Sequence, residues 1–349
     1  MDKEYLSLPR EAALDVPREA ALDVPREVSL DVPREAADVP GSLLKKAYEE
    51  LKAANAHSAY TLLEEALDLD FENEEIKHAL KCVHWWLIHT RRIDDIKNPF
   101  EKGSFLISLY KQYHVFTEQL NKQLNENFEQ CQYAVRFFVY SKALFFFEGL
   151  LENQANKHDP GLLLLIGRCN KGLGNYDEAL VCLEQAVHLR KDDAEILAET
   201  ADINALLAQV KTAKALFREA FFMDPSKIDF RFMESALILK LRDKVSQLGY
   251  KDEELCEWIP VYGHIWGVFT VKRELKQMEA GRLKQSIFSL EAEYESNPAR
   301  RRIIKPRLLN HYLRLIDYYE VSREDSSLVE ETLLKIKVTD PDIYNMYAG

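Results

Sequence analysis

His78, Cys82 and His89 lie four and seven residues apart in EEIKHALKCVHWWLIH, so on a helix they share one face. Imidazole and thiolate are the donors zinc prefers, and three such groups together could ligate it. A fourth ligand is not evident, and the HWWLIH run places bulky apolar residues all round. A buried structural stripe is the favoured reading, and no metal site is assigned. Gly172, Leu173 and Gly174 lack the third glycine of a dinucleotide loop and the Lys-Ser/Thr of a phosphate loop, and no strand precedes them. A turn between helices accounts for them. No HExxH, GxSxG or kinase set occurs. The carboxylate pairs Asp94–Asp95 and Asp192–Asp193 suit helix starts. With no nucleophile or base to nominate and no cofactor implied, the chain reads as a non-enzyme.

One basic run, ARRRIIKPR at 299–307, gathers Arg300, Arg301, Arg302, Lys305 and Arg307. Such a cluster could dock a phosphate backbone or an acidic partner. It holds no aromatic residue for base stacking. The chain carries a formal charge of −12, which repels polyanions. A solvated loop, salt-paired to neighbouring acidic helices, is the favoured reading; acidic-partner docking comes second, and nucleic acid is not expected.

The elements that carry these residues follow from composition and period. The 349 residues are 47% hydrophobic and 30% charged, enough to bury a core over most of the chain. Only 12 Gly and 12 Pro are present, and five of the prolines precede residue 41, too few turn residues for a sandwich or barrel. Cys82, Cys131, Cys169, Cys182 and Cys256 are odd in number and form no CxxC pair, the pattern of reduced thiols in a cytoplasmic protein. No signal peptide and no run of about 18 apolar residues is visible, so membrane insertion is not expected.

Residues 1–40 repeat the unit DVPREAAL, with Pro9, Pro17, Pro25 and Pro33 at intervals of eight. Proline at that density costs any continuous helix about 3 kcal/mol per occurrence. The segment reads as a disordered spacer, or alternatively as a multivalent array of short ligands. From 41 to 349 the apolar period is that of helices: 43–55, 57–68, 74–93, 105–125, 130–153, 160–173, 176–189, 194–208 and 211–223. Residues 93–104 read as an insertion within a helix pair, and 251–271, with Pro260, Gly263 and Gly267, as an interruption of regular packing. Trp258, Tyr262, Trp266 and Phe269 are either partner anchors or core.

Residues 160–193 and 194–227 align at an offset of 34. Gly167 falls on Ala201, Ala179 on Ala213, Leu183 on Phe217 and Ala186 on Ala220. Small residues recur where two helices must approach, and large ones fill the gaps a turn or two away. This resembles the tetratricopeptide repeat, with GNYDEA at 174–179 as the turn signature and Pro225 near the repeat end. Residues 41–73 fit more loosely through Ala47, Ala59, Leu63 and Ala66. Lys191 replaces an expected proline, and Leu163 and Leu197 replace the usual tryptophan.

The resemblance implies an all-α fold, an α-solenoid of antiparallel helix pairs wound as a right-handed superhelix over 41–349. It also implies a non-enzymatic scaffold that binds a peptide or partner protein along a concave groove. The groove positions it assigns include Leu164, Arg168, Lys171, Glu195, Ala198, Asp202 and Ala205. Arg168 and Lys171 are then expected to meet acidic ligand groups, and Glu195 and Asp202 basic ones. Leu164 and Arg168 stand where the family's carboxylate clamp carries Lys and Asn, which disfavours binding of a free chain terminus. A regulatory subunit of an enzyme complex is the alternative.

Overall fold

The computed structural model describes residues 38–124, 128–271, 274–323 and 326–348. Residues 1–37 of the octapeptide-repeat segment lie outside them, and its last two residues, Val39 and Pro40, open the first helix. The described residues form fifteen α-helices and no strand. In chain order these are α1 (Val39–Lys52), α2 (Ala56–Leu69), α3 (Glu74–His89), α4 (Pro99–Leu124), α5 (Glu129–Glu148), α6 (Pro160–Leu173), α7 (Tyr176–Leu189) and α8 (Ala194–Leu206). There follow α9 (Val210–Met223), α10 (Ala236–Ser246), α11 (Asp252–Ile265), α12 (Gln277–Ser296), α13 (Arg301–Ser322), α14 (Ser326–Thr339) and α15 (Pro341–Ala348). None of the described helices is long and apolar enough to cross a membrane.

Most helices pack on their neighbours in the chain, as α1 on α2, α6 on α7 and α8 on α9 do most extensively. These three pairs repeat one design. Each first helix is followed within two residues by one of left-handed conformation, Ala54 (φ 65°), Gly174 (φ 87°) or Ala208 (φ 60°). Each second helix carries two small residues, all fully buried: Ala59 and Ala66, Ala179 and Ala186, Ala213 and Ala220. The carbonyl of the later alanine accepts the closing hydrogen bond from Asp70, Arg190 or Asp224, at 3.1, 2.9 and 3.1 Å. Asn73, Asp159, Asp193 and Asp224 then cap the next helix or turn with a side-chain oxygen on two backbone N–H groups, or on one at Asp224. Gly167 is small for a steric reason, since a Cβ there would lie 2.7 Å from Leu183 Cγ of α7.

Where the expected boundaries fail, the cause is local. The non-helical joint after α3 is only 94–98, because Asn98 caps Phe100 N at 2.9 Å and Pro99 opens α4, so most of the expected insertion is helix. The residues around 251–271 are mostly α11, which carries Pro260 internally. Its end turns back sharply: Gly263 O accepts from Val268 N and Phe269 N at 2.8 and 2.9 Å. That return seats Phe269 against Gly263, where a Cβ would stand 2.5 Å from its ring. Trp258, Tyr262 and Phe269 are thereby core residues, and Trp266 is half-buried beneath Lys244 at 4.0 Å.

The left-handed turn gives a direct check. Alanine in this conformation carries a steric cost that glycine escapes. Ala208→Gly is expected to raise the thermal midpoint, by roughly 0.5 kcal/mol of stability. Gly174→Ala, which meets no neighbour within 4 Å, should lower it by about 1 kcal/mol. Thermal melts followed by circular dichroism decide it, and changes of the same sign in both variants would refute a shared turn.

Candidate functional site

Arg168 and Lys171 lie one turn apart on α6, and Glu199 and Asp202 one turn apart on α8, so the two helices face each other with opposite charges in register. Arg168 donates to Glu199 Oε1 and Glu195 Oε1, each at 2.8 Å. Lys171 Nζ donates to Glu199 Oε2 at 2.5 Å and Asp202 Oδ2 at 2.8 Å. Its third donor goes to the backbone carbonyl of Phe232, at 2.8 Å.

That carbonyl belongs to the non-helical segment 228–235, which joins the 3-10 turn after α9 to α10 and crosses the α6–α8 face. Asp202 receives its returning backbone N–H groups, Glu234 N and Ser235 N, both at 2.9 Å. The Arg168 guanidinium lies 3.8 Å from the centroid of the Phe232 ring, and Lys111 of α4 stands 4.7 Å from it. Lys111 also pairs with Asp229 at 2.8 Å. Arg136 of α5 bonds Glu234 at 2.7 Å and Gly172 O at 2.7 Å. The segment is thus strapped to α4, α5, α6 and α8.

This arrangement revises the groove assignment. Arg168, Lys171 and Asp202 are buried and satisfied by one another and by the strap, so they are not open to an added ligand; only Glu195 keeps a half-exposed side chain. Burial alone would lower the pKa of Arg168 and Lys171, but the facing carboxylates raise both, which keeps the cations charged. Burial raises the Glu234 carboxyl despite Arg136 and Lys171 beside it. Burial would also raise Asp229, yet hydrogen bonds from Arg231 and Lys111 hold it well below the usual carboxylate range. Sequence reasoning missed Glu199, Phe232, Glu234 and Arg136. The available signal was the matching i, i+3 spacing of opposite charges on consecutive first helices.

The basic run is not a loop. It spans a 3-10 turn and the start of α13, and its cations are drawn onto acidic neighbours. Arg300 pairs with Glu293 at 2.8 Å, Arg301 reaches Tyr294 O at 2.8 Å, Lys305 pairs with Asp340 at 2.7 Å, and Arg307 grips Glu257; Arg302 is exposed. A polar cleft of about 470 Å³ lies between α13 and the end of α9, lined among others by Asp224, Glu253, Glu257, Arg307 and His311. Its charges are largely spent on internal pairs. Of the zinc-type stripe, His78 and Cys82 are buried together, whereas His89 is stacked on Trp85 at 4.0 Å and bonds Trp85 O at 2.7 Å. No family model matches the chain, and no curated protein matches it.

Two outcomes follow. Lys171→Met leaves buried Asp202 without its cation and Glu199 with Arg168 alone, a loss of about 3–5 kcal/mol. Arg300→Ala, at an exposed pair, should cost less than about 1 kcal/mol. Urea melts measure both, and a Lys171→Met chain as stable as the parent would show that the network holds nothing together. The second outcome concerns pH. Burial lowers His311 from 6.5 to about 4; its hydrogen bond with the Arg307 carbonyl opposes this, and the Arg307 and Arg314 charges add to it. Between those values the unfolded chain takes up a proton that the folded chain refuses, so this histidine makes stability fall as pH drops from 6.5 to 4. Glu234 and Glu257, whose folded pKa values are raised, act in the opposite sense. The comparison is therefore with His311→Gln, which should lose up to roughly 3 kcal/mol less over that interval. Parallel pH profiles of the two proteins would remove the histidine from the account.

Proposed function

We propose that the chain is a non-enzymatic scaffold of tetratricopeptide-like helix pairs that holds a peptide or partner segment against the α6–α8 face. The observation that carries this reading is the strap. A non-helical polypeptide already lies on that face, and the face supplies what such a ligand requires. Lys171 offers a donor for a backbone carbonyl, Asp202 offers two acceptors for successive backbone N–H groups, and Arg168 offers a cationic plane for an aromatic ring. Three of the positions that the repeat resemblance assigns to ligand contact, Arg168, Lys171 and Asp202, are ones that touch the strap.

The repeated small residues and the shared left-handed turn of the three regular pairs support the tetratricopeptide-like reading, because both arise from one close helix crossing reused along the chain. The clefts of about 740, 520 and 470 Å³ are lined by residues other than these buried charges. An interaction role fits this better than catalysis by Lys171 and its carboxylates.

The test weakens the resident segment and offers it back. In a Phe232→Ala chain the ring slot under Arg168 is vacated. A labelled peptide with the sequence of residues 226–237, SKIDFRFMESAL, is expected to bind this variant, measured by fluorescence anisotropy. It should bind the parent chain at least tenfold more weakly, and a peptide with alanine at the position of Phe232 should not bind. A folded variant that ignores the native peptide would overturn the reading.

A further inference from the structure

The structure assigns a buried zinc site to His78 and Cys82 of α3 and Cys131 of α5. Their ligand atoms all lie within 4.8 Å of one another, and all three residues are buried. Cys82 Sγ stands 3.7 Å from His78 Nδ1. Donors around a tetrahedral zinc ion, with Zn–S about 2.3 Å and Zn–N about 2.0 Å, are separated by roughly 3.6 Å. The cluster is therefore within roughly 1 Å of ligand spacing before any ion arrives.

Three further features separate this cluster from an ordinary pair of core cysteines. First, His78 Nε2 meets Asn121 Oδ1 of α4 at 3.1 Å. With Nε2 donating to that amide oxygen, the lone pair of the neutral ring sits on Nδ1, the atom nearest Cys82. A metal-bound histidine is oriented in this way by a partner on its other nitrogen. Second, the Phe128 ring, 4.6 Å from the imidazole, fixes the ring from the side. Third, the Tyr113 hydroxyl of α4 is buried beside the cluster, with the Cys82 and Cys131 thiols as its polar neighbours.

Charge selects the ion. On binding, each thiol gives its proton to solvent and each sulfur donates an electron pair to the metal: Zn²⁺ replaces two H⁺, and the imidazole stays neutral. The assembled site carries no net charge. That is the condition under which an ion is tolerated among Ala79, Val83, Trp86, Ala134 and Val135 of the surrounding core. A monovalent ion would leave one negative charge buried. Because the cluster is sealed, the ion enters as α5 closes on α3 during folding.

The experiment refolds the full chain from denaturant under anaerobic reducing conditions with Co²⁺, then displaces the cobalt with Zn²⁺. One Co²⁺ per chain is expected, with tetrahedral visible bands and a near-ultraviolet thiolate charge-transfer band sized for two sulfurs. Zinc should abolish both. Cys82→Ser and Cys131→Ser should lose the charge-transfer band, whereas Cys169→Ser, at another buried thiol, should keep it. A refolded helical parent chain without the band overturns the site, as does uptake unchanged in Cys82→Ser and Cys131→Ser. Should those variants fail to fold, alkylation of the parent chain in moderate denaturant decides. Zinc protection of Cys82 and Cys131 but not Cys169 supports the site, and equal labelling with and without zinc overturns it.

Discussion

An ammonium ion in a protein interior survives only if every one of its donors is used, and the Lys171 side chain meets that condition with three partners from two separate elements. Glu199 and Asp202 of α8 take two of its protons, and the Phe232 carbonyl takes the third. Desolvating the cation costs several kcal/mol, and so does desolvating each carboxylate, so the network contributes little net stability over an apolar filling. What it imposes is register. A slide of α8 along α6, or a shift of the strap by one residue, would leave a buried charge facing carbon. The apolar cores on either side tolerate small rearrangements in a way this cluster does not.

How much of this was legible in the sequence depends on how far apart the cooperating residues lie. The paired helices and their offset of 34 were visible because Gly167, Ala179 and Ala186 interact within one pair and recur in the next. The left-handed turn was visible at Gly174 from its residue type, but its equivalents Ala54 and Ala208 carry no such signature. The burial of Arg168 and Lys171 was hidden for a different reason. A cation on a helix face reads as solvated unless something covers it, and the cover here is a non-helical segment some 60 residues further on. Periodicity reports which face a residue occupies and is silent on what lies across from it. The same limit misled the metal-type stripe: His89 shares a helix with Cys82, while Cys131, which meets it in space, lies on α5.

The strap also couples helix pairs that are distant in the chain. In a chain of helix pairs that touch only their neighbours, stability is close to a sum of local terms, and one end can open while the other stays folded. The buried apolar residues here fall into three clusters among the described residues. Phe232 breaks the rule, since it follows α9 in sequence yet packs in the cluster built from α1 to α6. Lys111 and Arg136 hold its flanks from α4 and α5. An opening of α4 or α5 must therefore release residues 228–235, and with them the ligands of Lys171 on the far side.

Cys131 and Arg136 lie on the same helix, five residues apart. One holds α5 to α3 within the core, and the other holds α5 to the strap through Glu234. Whatever fixes the first end of α5 constrains the second, because a helix of 20 residues transmits a rigid displacement along its length. The occupancy of the α6–α8 face by the chain's own segment is in this way tied to packing more than one helix away. On the proposed reading of this face as a ligand surface, its closure by the chain's own segment makes a separate regulatory domain unnecessary. Regulation needs only a change in the free energy that holds α5 in place, and the sulfur and imidazole atoms gathered at its first turn are where that free energy can be altered.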